Sequence, residues 1–335
     1  MATIKDIANK LGISPSTVSK GLNGAHDISD EMRSRVLDIA IELGYASKKI
    51  KSRKNLNLCI LINEMEYTSP DSFGYDIVLG FKQAAANSHW NIDVIKIDND
   101  LKNSDTYDSY MIKNKYHGAF LLGFNMHDPW ITQLSKTIIP TVTIDTHIDF
   151  NSKVGTVGTD SFEGISSAIN HLVQLGHNNI AFLNGDKNSQ ISRTRTKAFI
   201  TSLSANNLTP NPNLIKYGYY VLDSAREYVH IFIENNATAI VCASDLIASN
   251  VINELNRMGI RVPEDISVIG FDDIPIATRL TPKLTTIRQD RKNIGKSAYI
   301  LLDGLVNDVP ISRMSLRGEF IVRQSCGPCK ISSNI

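Results

Sequence analysis

Residues Thr3–Asn23 of this chain read TIKDIANKLGISPSTVSKGLN and predict two short helices joined by a tight turn. Thr3 and Asp6 have the spacing of a capping box, which starts the first helix. Gly12 ends this helix, and Ser14 can cap the second. One face of the first helix is apolar, with Ile4, Ile7, Ala8 and Leu11. The pattern indicates a helix-turn-helix, whose second helix has the polar surface of a DNA major-groove reader.

The alternative to a DNA reader is an ordinary helical hairpin with polar outer faces. A third helix is predicted from near Ser29 to Leu43, and its apolar stripe would complete a small headpiece: Val36, Ile39, Ala40 and Leu43. On the DNA-binding interpretation we expect contacts from residues in and around the two-helix unit, namely Thr3, Ser14, Pro15, Ser16, Thr17, Ser19, Lys20 and Asn23.

Composition sets the broad class of the chain. Its 335 residues favour two or three domains, with 42% hydrophobic and 21% charged residues as in a globular protein. No apolar run is long enough to span a membrane, and the amphipathic N-terminus predicts no signal peptide. The four cysteines are too few and too scattered to form a disulfide framework. We therefore expect a cytoplasmic protein.

The positive charge is concentrated at the N-terminus. Residues 1–56 hold ten Lys and Arg against six Asp and Glu, a net of +4, whereas the whole chain has a net of +1. Residues 46–56 form a basic linker, for which a solvated spacer is one interpretation. Beside a helix-turn-helix we expect the linker to follow DNA phosphates, with contacts from Ile50, Lys51, Arg53 and Lys54.

From Leu58 onward, short apolar runs alternate with helical segments, which predicts parallel, doubly wound sheets. The strands predicted in a first series are Leu58–Ile62, Asp93–Ile97, Ala119–Leu122 and Val142–Ile144, and those in a second series are Ile180–Leu183, Ala239–Cys242 and Val268–Gly270. Two such series indicate two similar α/β lobes with a cleft between them. The predicted fold class is thus an all-α helix-turn-helix headpiece followed by an α/β core of two doubly wound parallel-sheet lobes.

The chain resembles the lactose/galactose-repressor (LacI/GalR) family of bacterial transcription regulators. The resemblance rests on Thr3–Asn23 and on later strings, among them DSFEG at 160–164, LGHNNIA at 175–181 and VPEDISVIGFDD at 262–273. It implies a core similar to periplasmic sugar-binding proteins. The resulting domain prediction is a headpiece at 1–45, a hinge linker at 46–56, a core at 57–325 and a tail at 326–335. Within the core, lobe 1 would comprise about 57–158 and 288–312, and lobe 2 about 159–287 and 313–325.

The resemblance also implies how the linker acts. In the family this segment folds on the operator and inserts a Leu into the minor groove. The usual Ala-Arg-Ser-Leu string is absent here, and the linker is a few residues short. Either Ile50 replaces that Leu, or operator contact depends more on charge than on intercalation.

Polar residues that follow apolar strands are candidates for binding a ligand, because open α/β sheets bind ligands at the carboxyl ends of their strands. Asp145, Ser244, Asp245 and Asp272 follow strands, and carboxylates with a guanidinium suit sugar hydroxyls. The resemblance implies ligand contact for Asp272 and Arg195. A helix N-cap is the alternative for each acid. Further candidates are Phe73 and Tyr220, which could stack on a sugar ring, and Gln289.

The sequence favours a homodimeric repressor that binds a pseudo-palindromic operator and responds to a small carbohydrate, with no cofactor or metal. A purine- or sugar-phosphate-responsive regulator of the same family is the alternative. A sugar-transport protein is disfavoured by the headpiece, and an enzyme by the lack of a nucleophile–base motif. Cys326-Gly327-Pro328-Cys329 resembles a thioredoxin-type pair, but at the end of the chain we expect a frayed tail.

Overall fold

The computed structural model describes residues 2–23, 25, 27–45, 56–218 and 222–330. The chain divides into two compact units. The first unit comprises Met1–Met65, Ile77–Val157 and Lys292–Met314, and the second comprises Glu66–Asp76, Gly158–Arg291 and Ser315–Ile335. None of the described helices is long and apolar enough to cross a membrane.

The units differ from the predicted lobes at Glu66–Asp76, a segment that the sequence assigns to lobe 1 and the structure groups with the second unit. Two ion pairs join this segment to the rest of the second unit. Arg279 Nη1 lies 2.9 Å from Asp71 Oδ2, and Arg291 Nη2 lies 2.9 Å from Asp76 Oδ2.

The headpiece contains three helices, α1 (Ile4–Leu11), α2 (Pro15–Asn23) and α3 (Asp30–Glu42). The predicted caps are present: Thr3 and Asp6 form the capping box, and Gly12 is left-handed with φ 66°. The headpiece core consists of Ile7, Ala8, Val18, Val36, Leu37 and Ala40. The predicted stripe of α3 is corrected in part, because Leu37 is buried while Ile39 and Leu43 are only half-buried.

The first sheet has six strands in the order β11-β5-β4-β3-β1-β2. Its strands are β1 (Asn57–Ile62), β2 (Asn91–Lys96), β3 (Gly118–Leu122), β4 (Thr141–Ile144), β5 (Val154–Thr159) and β11 (Arg313–Leu316). The helices of this part of the chain are α4 (Phe73–Ala85), α5 (Asn99–Ser104), α6 (Tyr107–Lys113), α7 (Pro129–Gln133) and α13 (Arg291–Val306). Glycines allow α4 and α13 to approach closely, since a Cβ added at Gly80 would lie 2.0 Å from the Lys292 carbonyl oxygen.

The second sheet has the order β12-β10-β9-β8-β6-β7. Its strands are β6 (Ile180–Asn184), β7 (Ile215–Tyr217), β8 (Ala239–Cys242), β9 (Ser267–Asp272), β10 (Thr285–Arg288) and β12 (Glu319–Ile321). The helices are α8 (Ser161–Gln174), α9 (Gln190–Ala205), α10 (Leu222–Glu234), α11 (Asp245–Arg257) and α12 (Ile276–Arg279). The two parallel-sheet lobes and the helical headpiece confirm the predicted fold class. Strands β6 to β10 are parallel, so their carboxyl ends share one edge.

Candidate functional site

Helix α2 presents a polar face to solvent. Pro15, Ser16 and Lys20 are exposed, whereas Thr17 and Ser19 are half-buried. Ser14 caps the helix, because its Oγ accepts from the Thr17 N–H at 3.1 Å and lies 2.7 Å from Ser16 Oγ. The buried Val18 fixes which face of α2 points outward. This face carries hydroxyls and one ammonium, which are groups that bind base edges and phosphates.

Several predicted DNA contacts have other roles or lie outside the described residues. Thr3 is exposed, and its N–H and hydroxyl both donate to Asp6 Oδ2, at 2.7 and 2.8 Å, as part of the α1 cap. Asn23 ends α2. The linker candidates Ile50, Lys51, Arg53 and Lys54 lie outside the described residues, and so does the ligand candidate Tyr220.

Arg195 is the central cation at the carboxyl edge of the second sheet. Its side chain leaves α9, is only 5% exposed, and stacks on Phe271 with the guanidinium carbon 3.8 Å from the ring centroid. Nη1 donates to the Ala243 carbonyl at 2.6 Å, and Nε donates to Ser161 Oγ at 3.4 Å. A guanidinium has five N–H donors. These contacts therefore fix the plane of the group and leave donors for a bound molecule.

Asp272 ends β9 and directly follows Phe271, the residue on which Arg195 stacks. Its backbone has φ 112°, and the residue is 9% exposed. Oδ1 accepts from Gln289 Nε2 at 2.7 Å, while its carbonyl accepts from Arg291 Nη1 at 3.3 Å. Gln289, a predicted ligand contact, is thus a direct partner of Asp272. A carboxylate has about four acceptor sites and can accept several hydrogen bonds at once.

Asp245 and Ser244 hold the local structure together. Asp245 is fully buried; Oδ2 accepts from the Ile274 N–H at 2.8 Å and Oδ1 from Thr286 Oγ1 at 2.6 Å. Burial, and secondarily the negative charge of Asp272, raise the pKa of Asp245 well above its usual value. Ser244 Oγ caps α11 by accepting from the Ile247 N–H. These contacts give Asp245 and Ser244 structural roles, and their ligand contacts stay predictions.

Two other predicted ligand contacts lie elsewhere in the fold. Phe73, half-buried, is grouped with the second unit at the start of α4. Asp145 follows β4 in the first unit, with φ 53°, and its N–H donates to the Val157 carbonyl at 3.0 Å. The ligand contacts of Phe73 and Asp145 stay predictions.

Sequence reasoning missed four polar residues of the second unit, Asp76, Thr159, Ser192 and Arg291. Arg291 joins the Asp272 carbonyl to Asp76. The hydroxyls of Thr159 and Ser192 are buried and lack a hydrogen-bond partner within the described chain. Ser192 lies one turn before Arg195 on α9, so its spacing was the available signal. Asp76, Thr159 and Arg291 could be found only from the folded structure.

The C-terminal segment is packed against the second unit, which corrects the expectation of a frayed tail for residues 326–330. His177 Nε2 lies 3.0 Å from the Gly327 carbonyl, and the Cys329 N–H donates to the Leu175 carbonyl at 2.8 Å. Burial raises the pKa of Cys326 to about 12, which disfavours a reactive thiolate. No group of three or more His, Cys, Asp or Glu residues that could hold a metal occurs in the part of the chain that the structure describes.

Comparison with known proteins gives two domain matches. Residues 3–48 match the model of bacterial regulatory proteins of the lacI family, and residues 169–326 match a periplasmic binding protein-like domain. The chain is 28% identical over 330 residues to the HTH-type transcriptional repressor PurR of Aliivibrio salmonicida (strain LFI1238), covering 97% of this chain and 99% of that protein.

Solved structures share the fold. The transcriptional regulator CelR–cellobiose complex superposes with a TM-score of 0.72 at 24% identity, covering 97% of this chain and 100% of that one. The lac repressor dimer bound to operator and the anti-inducer ONPF gives a TM-score of 0.67 at 21% identity, covering 97% and 99%.

Proposed function

We propose that the chain, whose residues 3–48 match bacterial regulatory proteins of the lacI family, is a homodimeric transcriptional repressor of that family. It would bind a pseudo-palindromic operator and respond to a small carbohydrate. The observation that carries DNA binding is the exposed face of α2 on a packed three-helix headpiece. Val18, Ile7 and Val36 hold α2 in place, and Ser16 and Lys20 extend from its opposite side. One short helix reads few base pairs, so two headpieces would read two half-sites.

The effector assignment is supported by the chemistry at the carboxyl edge of the second sheet. A sugar hydroxyl both donates and accepts a hydrogen bond. Arg195 offers donors, Asp272 offers acceptors, and Ser192, one turn before Arg195 on α9, has a buried hydroxyl without a partner in the described residues. Phe271 stacks on the planar guanidinium of Arg195 and helps to hold it in place. This mixture suits a polyhydroxylated molecule.

Control of DNA binding follows from linkage. A ligand shifts a protein between two states only by binding one of them more tightly, and the coupling between effector and operator is reciprocal. We therefore expect operator to change effector affinity by the same factor as effector changes operator affinity. A purine effector is the second candidate, favoured by the 28% identity to the PurR repressor over nearly the whole chain.

No catalytic role is part of this proposal, nor is a cofactor or metal. The relatives and neighbours reported above are transcription regulators. A DNA-binding repressor acts where the chromosome is, so we place the protein in the cytoplasm. The ligand contacts assigned to Asp145 and Phe73 remain part of the proposal, as do the phosphate contacts of the linker.

Selection from random duplexes tests the DNA assignment. We expect the wild-type chain to enrich an inverted repeat, and Lys20→Ala to weaken binding to that repeat by about 1–3 kcal/mol if a base contact is lost. Equal weakening on the repeat and on random DNA would reduce Lys20 to a phosphate contact. Failure to enrich any sequence would contradict the proposed function itself.

A further inference from the structure

The loop between α2 and α3 places an acidic side chain against the recognition helix. Asp27 Oδ2 forms an ion pair with Lys20 Nζ. Both side chains are well exposed, Lys20 to 51% and Asp27 to 60%. The ammonium that α2 presents to DNA is therefore held by a carboxylate of the same chain.

The position of Asp27 is set by the backbone of its loop. The Ala25 N–H donates to the Lys20 carbonyl at 3.1 Å, which ties the loop to the last turn of α2. Arg33 Nη2 donates to the Ala25 carbonyl at 3.3 Å, and Ser29 caps α3. These contacts tie Ala25, two positions before Asp27, to both α2 and α3.

A carboxylate at this place is unfavourable toward phosphates, which carry negative charge and no donor. Hydrogen-bond donors in the major groove are found on base edges, at cytosine N4 and adenine N6. Guanine offers two acceptors, O6 and N7, beside the cytosine donor. The O6 and N4 atoms are themselves one hydrogen bond apart. An A·T pair also has a neighbouring donor and acceptor, adenine N6 and thymine O4, but only the G·C pair places two adjacent acceptors beside a donor. An ammonium in contact with a carboxylate therefore matches the edge of a G·C pair best.

Resting on the proposed function, we infer that Asp27 is a specificity-determining residue, which acts with Lys20 to read one G·C base pair in each operator half-site. Lys20 donates to guanine, and Asp27 accepts from cytosine N4. At any other base pair the major groove does not offer Lys20 two adjacent acceptors beside a donor for Asp27. The same contact that favours the operator therefore disfavours other DNA.

The matched control is a second exposed ion pair of the headpiece, Lys10 with Glu42, whose side chains are 42% and 58% exposed. It joins the ends of α1 and α3 instead of the α2 face. Exposed ion pairs add little stability, so Asp27→Ala and Glu42→Ala should both remain folded, which thermal unfolding checks.

Duplexes are first selected with the wild-type chain. Each variant is then titrated with the selected duplex and with duplexes in which one base pair has been changed. We expect Asp27→Ala to lose preference at one G·C position per half-site, where the wild type discriminates about 5- to 150-fold, and to bind random duplex more tightly. Lys20→Ala should lose the same preference, and Glu42→Ala should keep it. The inference is overturned if Asp27→Ala retains every base preference, or if the lost preference is for A·T. Failure of the wild type to select any motif would count against the proposed function instead.

Discussion

Replacing Asp272 with Asn separates effector binding from folding. The position has φ 112°, a region that Asn and Asp enter more readily than most residues. The amide oxygen of Asn can still accept from Gln289 Nε2, now 2.7 Å from Oδ1. Asp272→Asn also removes a negative charge that raises the pKa of buried Asp245. The ligand-free protein should therefore keep its melting temperature.

Effector binding should weaken in the same variant. A hydrogen bond to a charged group contributes about 1.5–3 kcal/mol, which corresponds to a loss of about 10- to 150-fold in affinity. Calorimetric titration with mono- and disaccharides, and with purines for the alternative effector, measures this loss. Operator affinity without effector should be unchanged.

Asp273→Asn is the matched control. Asp273 accepts from Arg288 Nε at 2.7 Å and from Arg323 Nη2 at 2.6 Å, and its side chain is 7% exposed. Its loss should lower the melting temperature and spare effector affinity. If Asp272→Asn behaves like Asp273→Asn, Asp272 is structural and the effector argument is refuted. If purines bind and no sugar does, the carbohydrate assignment fails while the regulator assignment stands.

Three further predictions follow from the linker, the helix crossing and the buried acid. Replacing the linker cations Lys51, Arg53 and Lys54 with Ala should reduce the slope of log operator affinity against log salt by up to about 0.9 per lost phosphate contact. An unchanged slope would show that the linker is a spacer. Gly80→Ala should destabilise the first unit by about 1–3 kcal/mol in urea unfolding, because its Cβ would lie 2.0 Å from the Lys292 carbonyl; wild-type stability would contradict the close crossing. Burial raises the pKa of Asp245, so its contribution to stability is complete below the unfolded pKa of about 3.9 and is lost as pH rises through the folded pKa. Asp245→Asn should therefore gain stability relative to wild type as pH increases, and a constant difference would show that Asp245 does not titrate this way.

The headpiece was predictable because its signals are local. The capping box, the left-handed Gly12 and the Ser14 cap each depend on residues within a few positions of one another. Seven strands of the two sheets were equally visible as apolar runs: β1, β2, β3, β4, β6, β8 and β9. Strands β7, β11 and β12 were missed, since each has three or four residues and no fully buried side chain. Strands β5 and β10 were missed because Gly and Thr interrupt their apolar residues.

The candidate site was predictable only where residue type and strand end coincide. Arg195 and Asp272 were found this way, whereas the role of Asp245 depends on Ile274 and Thr286, which are 29 and 41 residues further along. The packed tail likewise depends on His177, 150 residues before Gly327. Such pairings are set by the arrangement of the sheet and leave no trace in local sequence.

The central claim is that one chain couples sequence-specific DNA binding to a small molecule. It is tested most directly by titrating the wild-type protein into a fluorescent duplex of its selected motif, and into a scrambled duplex, with and without the carbohydrate that binds by calorimetry. We expect the protein to bind the selected motif more tightly than the scrambled duplex. We also expect the carbohydrate to change the affinity of the protein for the motif. Equal binding to both duplexes, or a motif affinity that no bound effector changes, would contradict it.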